Sequence, residues 1–164
     1  MLPERSAIGK PHTKCSCHID PFVCELDVEV ECTLYQDGKP CGYLHGNKDA
    51  YFEVKVCLSG QLRHHLCGEI CVCVHIECMG PGPEIRLPLP PAKCPRQKID
   101  PCSEDGCLTF KIDIPAGTLK PDDCGQVCCF FATVTSYDAC GDPGHIACWC
   151  KGPCVIVHEE PHHH

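Results

Sequence analysis

Residues 68–78 restrict the possible fold more than any other part of the chain. Their side chains alternate strictly between two faces, and the apolar face carries Ile70, Val72, Val74, Ile76 and Cys78. Period-two alternation in a run rich in β-branched residues predicts a strand with one buried face. Cys71 and Cys73 share the opposite face, so we expect them to bond something that lies across the strand, either another part of this chain or another molecule.

Further strand patterns occur between turns rich in Gly and Pro. They cover residues 24–34, 52–58, 108–114, 126–136, 145–150 and 154–158. No stretch combines helical spacing of apolar residues with capping residues. The sequence therefore predicts an all-β protein, a single β-sandwich of about seven strands with a jelly-roll or immunoglobulin-like arrangement.

The predicted sandwich occupies residues 24–158. Residues 1–23 show no periodicity and are interpreted as an extended N-terminal arm, and residues 159–164 as a C-terminal tail whose last three histidines are native or remnants of a tag. A long Pro-rich segment at 80–106 interrupts the strand patterns. Two interpretations of this segment stay open, a crossover loop along the surface and a protruding contact loop.

Cysteine is far more frequent than the fold requires, with 20 of 164 residues. A fraction above roughly 8–10% marks a disulfide scaffold in a short secreted chain. A domain of this size can bury a sufficient core without disulfides, so the surplus suggests durability or covalent links between subunits. The start of the chain lacks the apolar segment of a secretory signal. Three explanations therefore stay open: a signal that has been removed, a protein that is made inside a cell and oxidised later, and a thermophile protein with intracellular disulfides.

Charge and motifs exclude several function classes. The net charge of −8 argues against nucleic acid and anionic membranes as partners, and no apolar run is long enough for membrane insertion. No C-x-x-C, phosphate-binding loop or nucleophile motif occurs, so we expect no enzyme and no cofactor. Four histidines are weak candidates for metal ligands: His64, His65, His75 and His145.

Three hypotheses for function remain open. The first is a structural protein that assembles with itself into an extracellular filament or coat, cross-linked by disulfides. The second is a monomeric, secreted β-sandwich that binds a partner and is stapled by internal disulfides. The third is a metal-binding protein that uses Cys and His ligands.

The first hypothesis divides the cysteines into two sets. Candidates for bonds between subunits lie in the arm, on outward strand positions or in the vicinal pair: Cys15, Cys17, Cys57, Cys71, Cys73, Cys107, Cys128 and Cys129. Candidates for other disulfides are Cys24, Cys32, Cys41, Cys67, Cys78, Cys94, Cys102, Cys124, Cys140, Cys148, Cys150 and Cys154.

The layout of the N-terminal part resembles the subunits of bacterial endospore appendages. The matching features are a start at Met1 without a signal, an arm that carries Cys15-Ser16-Cys17, and a strand that begins near Cys24. The resemblance implies a β-sandwich whose flexible connector uses Cys15 and Cys17 to bond neighbouring subunits, on a fibre at the spore surface. Cysteine-rich spore-coat proteins are similar in the same sense.

Overall fold

Most of the alternating stretches form strands of two sheets that pack face to face. A computed structural model describes residues 8–19, 25–80, 82, 84–121 and 125–159. Within these residues the strands are β1 His12–Ile19, β2 Leu26–Gln36, β3 Lys39–Pro40, β4 Tyr43–His45, β5 Ala50–Ser59, β6 Glu69–Cys78, β7 Ile85–Leu87, β8 Arg96–Lys98, β9 Cys107–Ile114, β10 Gln126–Tyr137 and β11 Pro143–His158. A short 3-10 helix, Gln61–His65, follows β5.

The strands divide between the sheets in a simple order. The first sheet runs β1-β2-β5-β9, with β3 also paired to β2. The second runs β4-β11-β10-β6-β7, with β8 also paired to β6. All neighbours are antiparallel except β4 and β11. The prediction of an all-β protein with two packed sheets is confirmed.

The core lies between the sheets and is built from the apolar side of each alternating strand. On β2 the residues Leu26, Val28, Val30, Cys32 and Leu34 are all buried. Phe52 of the first sheet stacks on Phe130 of the second, with ring centroids 5.2 Å apart. Burying one large apolar side chain stabilises a fold by about 1.5–3 kcal/mol, so this interior can hold the two sheets together.

The short strands β3, β4, β7 and β8 were not expected from the sequence, and two longer strands also differ from the expectation. Part of the predicted arm is strand β1, at the edge of the first sheet. Its inward positions hold Thr13, Cys15, Cys17 and Ile19, and this mixture lacks the aliphatic signal of the other strands. The two strands predicted at the end of the chain form one strand, β11, because it continues through Gly152 and Pro153 with a shift of register against β10.

Ion pairs between β1 and β2 hold the edge strand on its outer face. His12 contacts Glu31 at 2.6 Å, Lys14 contacts Glu29 at 2.8 Å, and His18 contacts Asp27 at 2.5 Å. The hydrogen bond from His12 lowers the pKa of Glu31. The contact with Glu29 raises the pKa of Lys14. Both shifts favour the charged forms that make these contacts.

The Pro-rich segment folds back onto the second sheet. Both of its short strands, β7 and β8, pair antiparallel with β6. Beyond β8 the segment leads to β9 in the first sheet, and Gln97 donates a hydrogen bond to the carbonyl of Thr109 over 2.5 Å. These contacts favour the interpretation of this segment as a crossover along the surface.

Candidate functional site

Disulfides are the chemistry that this fold displays most clearly. The described residues contain five of them: Cys15–Cys150, Cys57–Cys107, Cys73–Cys94, Cys78–Cys128 and Cys129–Cys154. Five such bonds make this a disulfide-rich protein, which is typical of extracellular proteins.

Three of the bonds join residues directly opposite each other on neighbouring antiparallel strands. They are Cys57–Cys107, Cys78–Cys128 and Cys129–Cys154, each with Cα atoms 4.0 Å apart. The strand register alone brings these cysteines together, because opposed side chains on one face are nearest neighbours. The vicinal residues Cys128 and Cys129 bond different neighbours, because Cys78 of β6 lies opposite Cys128 and Cys154 of β11 lies opposite Cys129.

The fourth bond, Cys73–Cys94, pins the Pro-rich segment to the outer face of β6. The same segment covers Cys71, whose Sγ lies 3.9 Å from the carbonyl oxygen of Cys94 and whose strand partner is Arg96. Cys71 is consequently only 6% exposed. The expectation that something lies across Cys71 and Cys73 is met by another part of this chain.

The fifth bond, Cys15–Cys150, connects the two sheets. Cys15 lies on β1, Cys150 lies on β11, and their Cα atoms are 5.9 Å apart. Cys150 belongs to the core and is 1% exposed. This bond and the pairing of β1 with β2 hold the N-terminal strand against the sandwich.

The assignment of bonds between subunits needs correction for most of the predicted residues. Six of the eight candidates are bonded within the chain because the fold places a second cysteine next to each: Cys15, Cys57, Cys73, Cys107, Cys128 and Cys129. The other two, Cys17 and Cys71, are unpaired but not exposed.

The cysteines that were predicted to form other disulfides fall into three groups in the structure. Four take part in the internal disulfides, namely Cys78, Cys94, Cys150 and Cys154. Six are unpaired thiols in the structure, contrary to their assignment as disulfide candidates, namely Cys32, Cys41, Cys67, Cys102, Cys140 and Cys148. Cys24 and Cys124 lie outside the described residues.

The unpaired thiols occupy very different surroundings. Cys32 lies in the core with no exposed surface, and burial raises its pKa to about 12, against a smaller opposing effect of the Thr13 hydroxyl. Burial and the neighbouring Cys17 raise the pKa of Cys148 to about 12. In contrast, Cys67, Cys102 and Cys140 are exposed. The exposed thiols are thus the most accessible nucleophiles among the described cysteines.

All three exposed thiols lie at one end of the sandwich, which we call the thiol end and define as residues 60–68, 99–106 and 138–142. Cys67 follows the 3-10 helix, and the helix residue His64 lies with Nδ1 3.2 Å from the carbonyl oxygen of Pro101, next to Cys102. Arg63 also donates a hydrogen bond to the carbonyl of Ser103. Cys140 lies in the turn between β10 and β11, where its backbone N–H donates to the Asp138 carboxylate over 2.9 Å.

Backbone contacts bring the three loops of the thiol end together. The N–H of Ile99 donates to the carbonyl of Gly68 over 2.9 Å. Gly68 has a φ of +103°, and a Cβ there would meet the Tyr137 carbonyl oxygen at 2.0 Å. Only glycine permits this approach. An open cleft of about 510 Å³ lies between these loops, with Cys140 among its lining residues.

Cys41 lies at the opposite end of the molecule. It connects β3, which pairs with the end of β2, to β4, which pairs with the end of β11. Cys41 is partly exposed, and its thiol donates to the Tyr43 carbonyl over 2.8 Å. The ten residues of β5 separate the two ends, a distance of about 30 Å at the usual rise per strand residue.

The candidate metal-ligating histidines do not come together. His64 and His65 lie on the 3-10 helix, His75 contacts Glu84 at 3.0 Å, and His145 is exposed near the start of β11. Across the described part of the chain, no three His, Cys, Asp or Glu side chains form a group that could hold a metal ion.

One pairing of cysteine motifs is visible in the sequence once the position of β1 is known. The motif at Cys15-Ser16-Cys17 and the motif at Cys148-Trp149-Cys150 have the same spacing, and the structure places β1 against β11. Strand alternation gives each motif two thiols on one face, but Cys71-Val72-Cys73 has the same spacing, so the sequence alone did not show which two motifs oppose each other.

Comparison with known proteins adds no family assignment. No protein-family model matches the chain, and no curated protein is similar to it. Among the described residues no helix is long and apolar enough to span a bilayer.

Proposed function

We propose that this protein is a non-enzymatic structural subunit that assembles with itself into an extracellular, disulfide-cross-linked filament or coat. The observation that supports this proposal is the gathering of Cys67, Cys102 and Cys140 at the thiol end. They are exposed and unpaired in a chain that has already oxidised ten other cysteines. A cell or spore surface is the location that this function implies.

Exposed thiols suit covalent assembly because two of them on neighbouring subunits can form a disulfide without unfolding either molecule. An oxidant such as a small-molecule disulfide accepts the two electrons and two protons that the thiols lose. Buried thiols such as Cys32 cannot reach a neighbour. The linker role expected of Cys15 and Cys17 therefore passes, in this proposal, to the thiol end.

The direction of assembly depends on which surfaces meet. Contact between two thiol ends is isologous and stops at a dimer, whereas contact between a thiol end and the Cys41 end is heterologous and continues. About 30 Å separate these ends, so a head-to-tail arrangement would add one sandwich length per subunit. We propose this arrangement, with Cys41 as the partner of a thiol-end cysteine.

Denaturing electrophoresis of the oxidised protein, with free thiols blocked first, tests the proposal. We expect a ladder of species that collapses to a single band of 18.0 kDa only after reduction. The variant Cys67→Ser/Cys102→Ser/Cys140→Ser should run as a monomer without reductant. Cys41→Ser should give no species above the dimer, and Cys32→Ala, which removes a buried thiol, should keep the ladder.

Two results would overturn the proposal. One is a wild-type protein that runs as a monomer with and without reductant. The other is a ladder that persists in the triple variant. The first result would instead favour a monomeric, secreted binding module, a candidate that the five internal disulfides support. Metal bound to the unblocked protein would favour the third hypothesis.

A further inference from the structure

Two Cys-x-Cys motifs face each other at the edge where β1 meets β11. Cys15 and Cys17 point inward from β1 and pack against the core. Cys148 and Cys150 point inward from β11 and are 6% and 1% exposed. Four sulfur atoms from the two sheets thus lie in one region of the interior, and the Cys15–Cys150 bond uses two of them.

The directions of the strands align the remaining two thiols. β1 ends at Ile19, opposite Leu26, and so runs toward the thiol end that follows β5, whereas β11 begins at that end with Pro143, opposite Tyr137. The strands β1 and β11 therefore run in opposite directions. A step of two residues in each strand moves from the bonded Cys15–Cys150 pair to Cys17 and Cys148, which therefore face each other.

We propose that Cys17 and Cys148 are a redox-active dithiol that closes into a second disulfide between the sheets, parallel to Cys15–Cys150, by exchange with a small-molecule disulfide such as glutathione disulfide. The reaction is balanced. The Cys17 thiolate attacks one sulfur of the small disulfide and releases the first small thiolate. Cys148 then attacks the sulfur of Cys17, and the second small thiolate leaves. The two cysteine protons end on the two small thiols.

The surroundings determine the order of these steps. Cys17 is the more accessible of the two, whereas Cys148 is buried in the core cluster. The first attack therefore belongs to Cys17. Native packing already holds Cys148 beside it, so the second step is intramolecular and does not depend on a further encounter.

The second bond would close almost the same loop as the first. It spans residues 17–148, while Cys15–Cys150 has a sequence separation of 135. Either bond alone fastens the edge strand β1 to the second sheet. The Cys17–Cys148 bond therefore attaches β1 to the second sheet a second time. This role is independent of the proposed assembly at the thiol end.

Isolation of the pair gives the direct test. The variant Cys15→Ser/Cys150→Ser lacks the neighbouring bond. After proteolysis, peptides from β1 and β11 can therefore stay linked only through a bond between Cys17 and Cys148. After incubation with glutathione disulfide, blocking with N-ethylmaleimide, denaturation and digestion, we expect a linked peptide that contains Cys17 and Cys148. Recovery of both residues as maleimide or glutathione adducts would overturn the proposal.

The wild-type protein supplies a measurement that does not depend on how the variant folds. With glutathione disulfide present, Cys17 and Cys148 should both lose their reactivity after denaturation without either gaining glutathione, and this peptide-level readout does not depend on what the exposed thiols form. In the matched variant Cys17→Ser, Cys148 should become reactive again after denaturation or carry glutathione. Continued reactivity of both Cys17 and Cys148 after denaturation of the treated wild type would overturn the proposal.

Discussion

At the scale of single residues, the unpaired cysteines differ mainly in how far water reaches their thiols. The thiolate is the reactive form, and burial in apolar surroundings disfavours it. Cys32 illustrates one extreme, with no exposed surface and a pKa raised to about 12. The exposed cysteines of the thiol end illustrate the other.

Alkylation of the native protein should reproduce this difference. At neutral pH we expect Cys67, Cys102 and Cys140 to react first. Cys32 and Cys148 should react only after unfolding, because a pKa of about 12 leaves about a thousandfold less thiolate than an ordinary thiol of pKa near 9. Peptide mass spectrometry over a time course measures the order. Early labelling of Cys32 would contradict the buried position of its thiol.

The alternation of residues predicted correctly which face of a strand each side chain occupies. It did not predict which cysteines pair with each other. It placed Ile70, Val72 and Val74 correctly in the core. It could not reveal that Cys57 lies opposite Cys107, because such a pair depends on the register between strands far apart in sequence. Nor could it reveal that a Pro-rich segment covers Cys71.

At the scale of elements, β1 shows how an edge strand can be held by different forces on its two faces. The inner face carries the disulfide to β11, and the outer face carries ion pairs to β2. Exposed ion pairs contribute little individually, about 0.2–1 kcal/mol. We therefore expect the disulfide to dominate and the ion pairs to adjust the fraying of the strand.

The Glu31 contact makes this fraying dependent on pH. Because the pKa of Glu31 is lowered in the folded protein, the contact stabilises β1 at pH values above the ordinary glutamate pKa. That stabilisation is lost as the pH falls through the lowered pKa. Hydrogen exchange should show protection of the β1 amides decreasing over this range relative to the β5 amides.

The matched variant for this prediction is Glu31→Gln. The amide keeps the shape of the side chain and cannot ionise, so the part of the pH dependence that belongs to Glu31 should disappear. If the β1 amides of the wild type and the variant respond identically to acid, the contact with His12 does not stabilise the strand.

The sequence failed to predict β1 for a physical reason. A strand is recognised by aliphatic residues at every second position, and β1 offers Thr13, Cys15 and Cys17 instead. Its attachment comes from a covalent bond and charged contacts, which leave no periodic signature. Among the described residues, the apolar positions of the seven stretches recognised as strands all lie in strands of the structure, because they fill the core.

At the scale of the whole molecule, the disulfides differ in the length of chain that they close. The sequence separations are 135 for Cys15–Cys150 and 21 for Cys73–Cys94. A longer closed loop restricts the unfolded chain more strongly, and the chain-entropy model gives about 5 and about 3 kcal/mol for these two loops. The longest loop should therefore contribute most to stability.

Paired serine variants can test this ranking in a Cys17→Ser background, where no second bond between the sheets can form. Cys15→Ser/Cys150→Ser should lower the free energy of unfolding by about 5 kcal/mol, and Cys73→Ser/Cys94→Ser by about 3 kcal/mol. Denaturant titration monitored by circular dichroism measures both. An equal or reversed ranking would show that local contacts, and not loop length, determine the contribution of these bonds.

The bond between Cys15 and Cys150 also determines how the molecule responds when the chain is pulled at residues 8 and 159. Tension applied at residues 8 and 159 passes from β1 directly into β11 through the sulfur atoms. Only the short segments outside the bond can extend, to at most about 60 Å, whereas the same chain without any crosslink could reach about 500 Å. The protein is therefore nearly inextensible, and the chain between residues 15 and 150 carries almost none of the applied load.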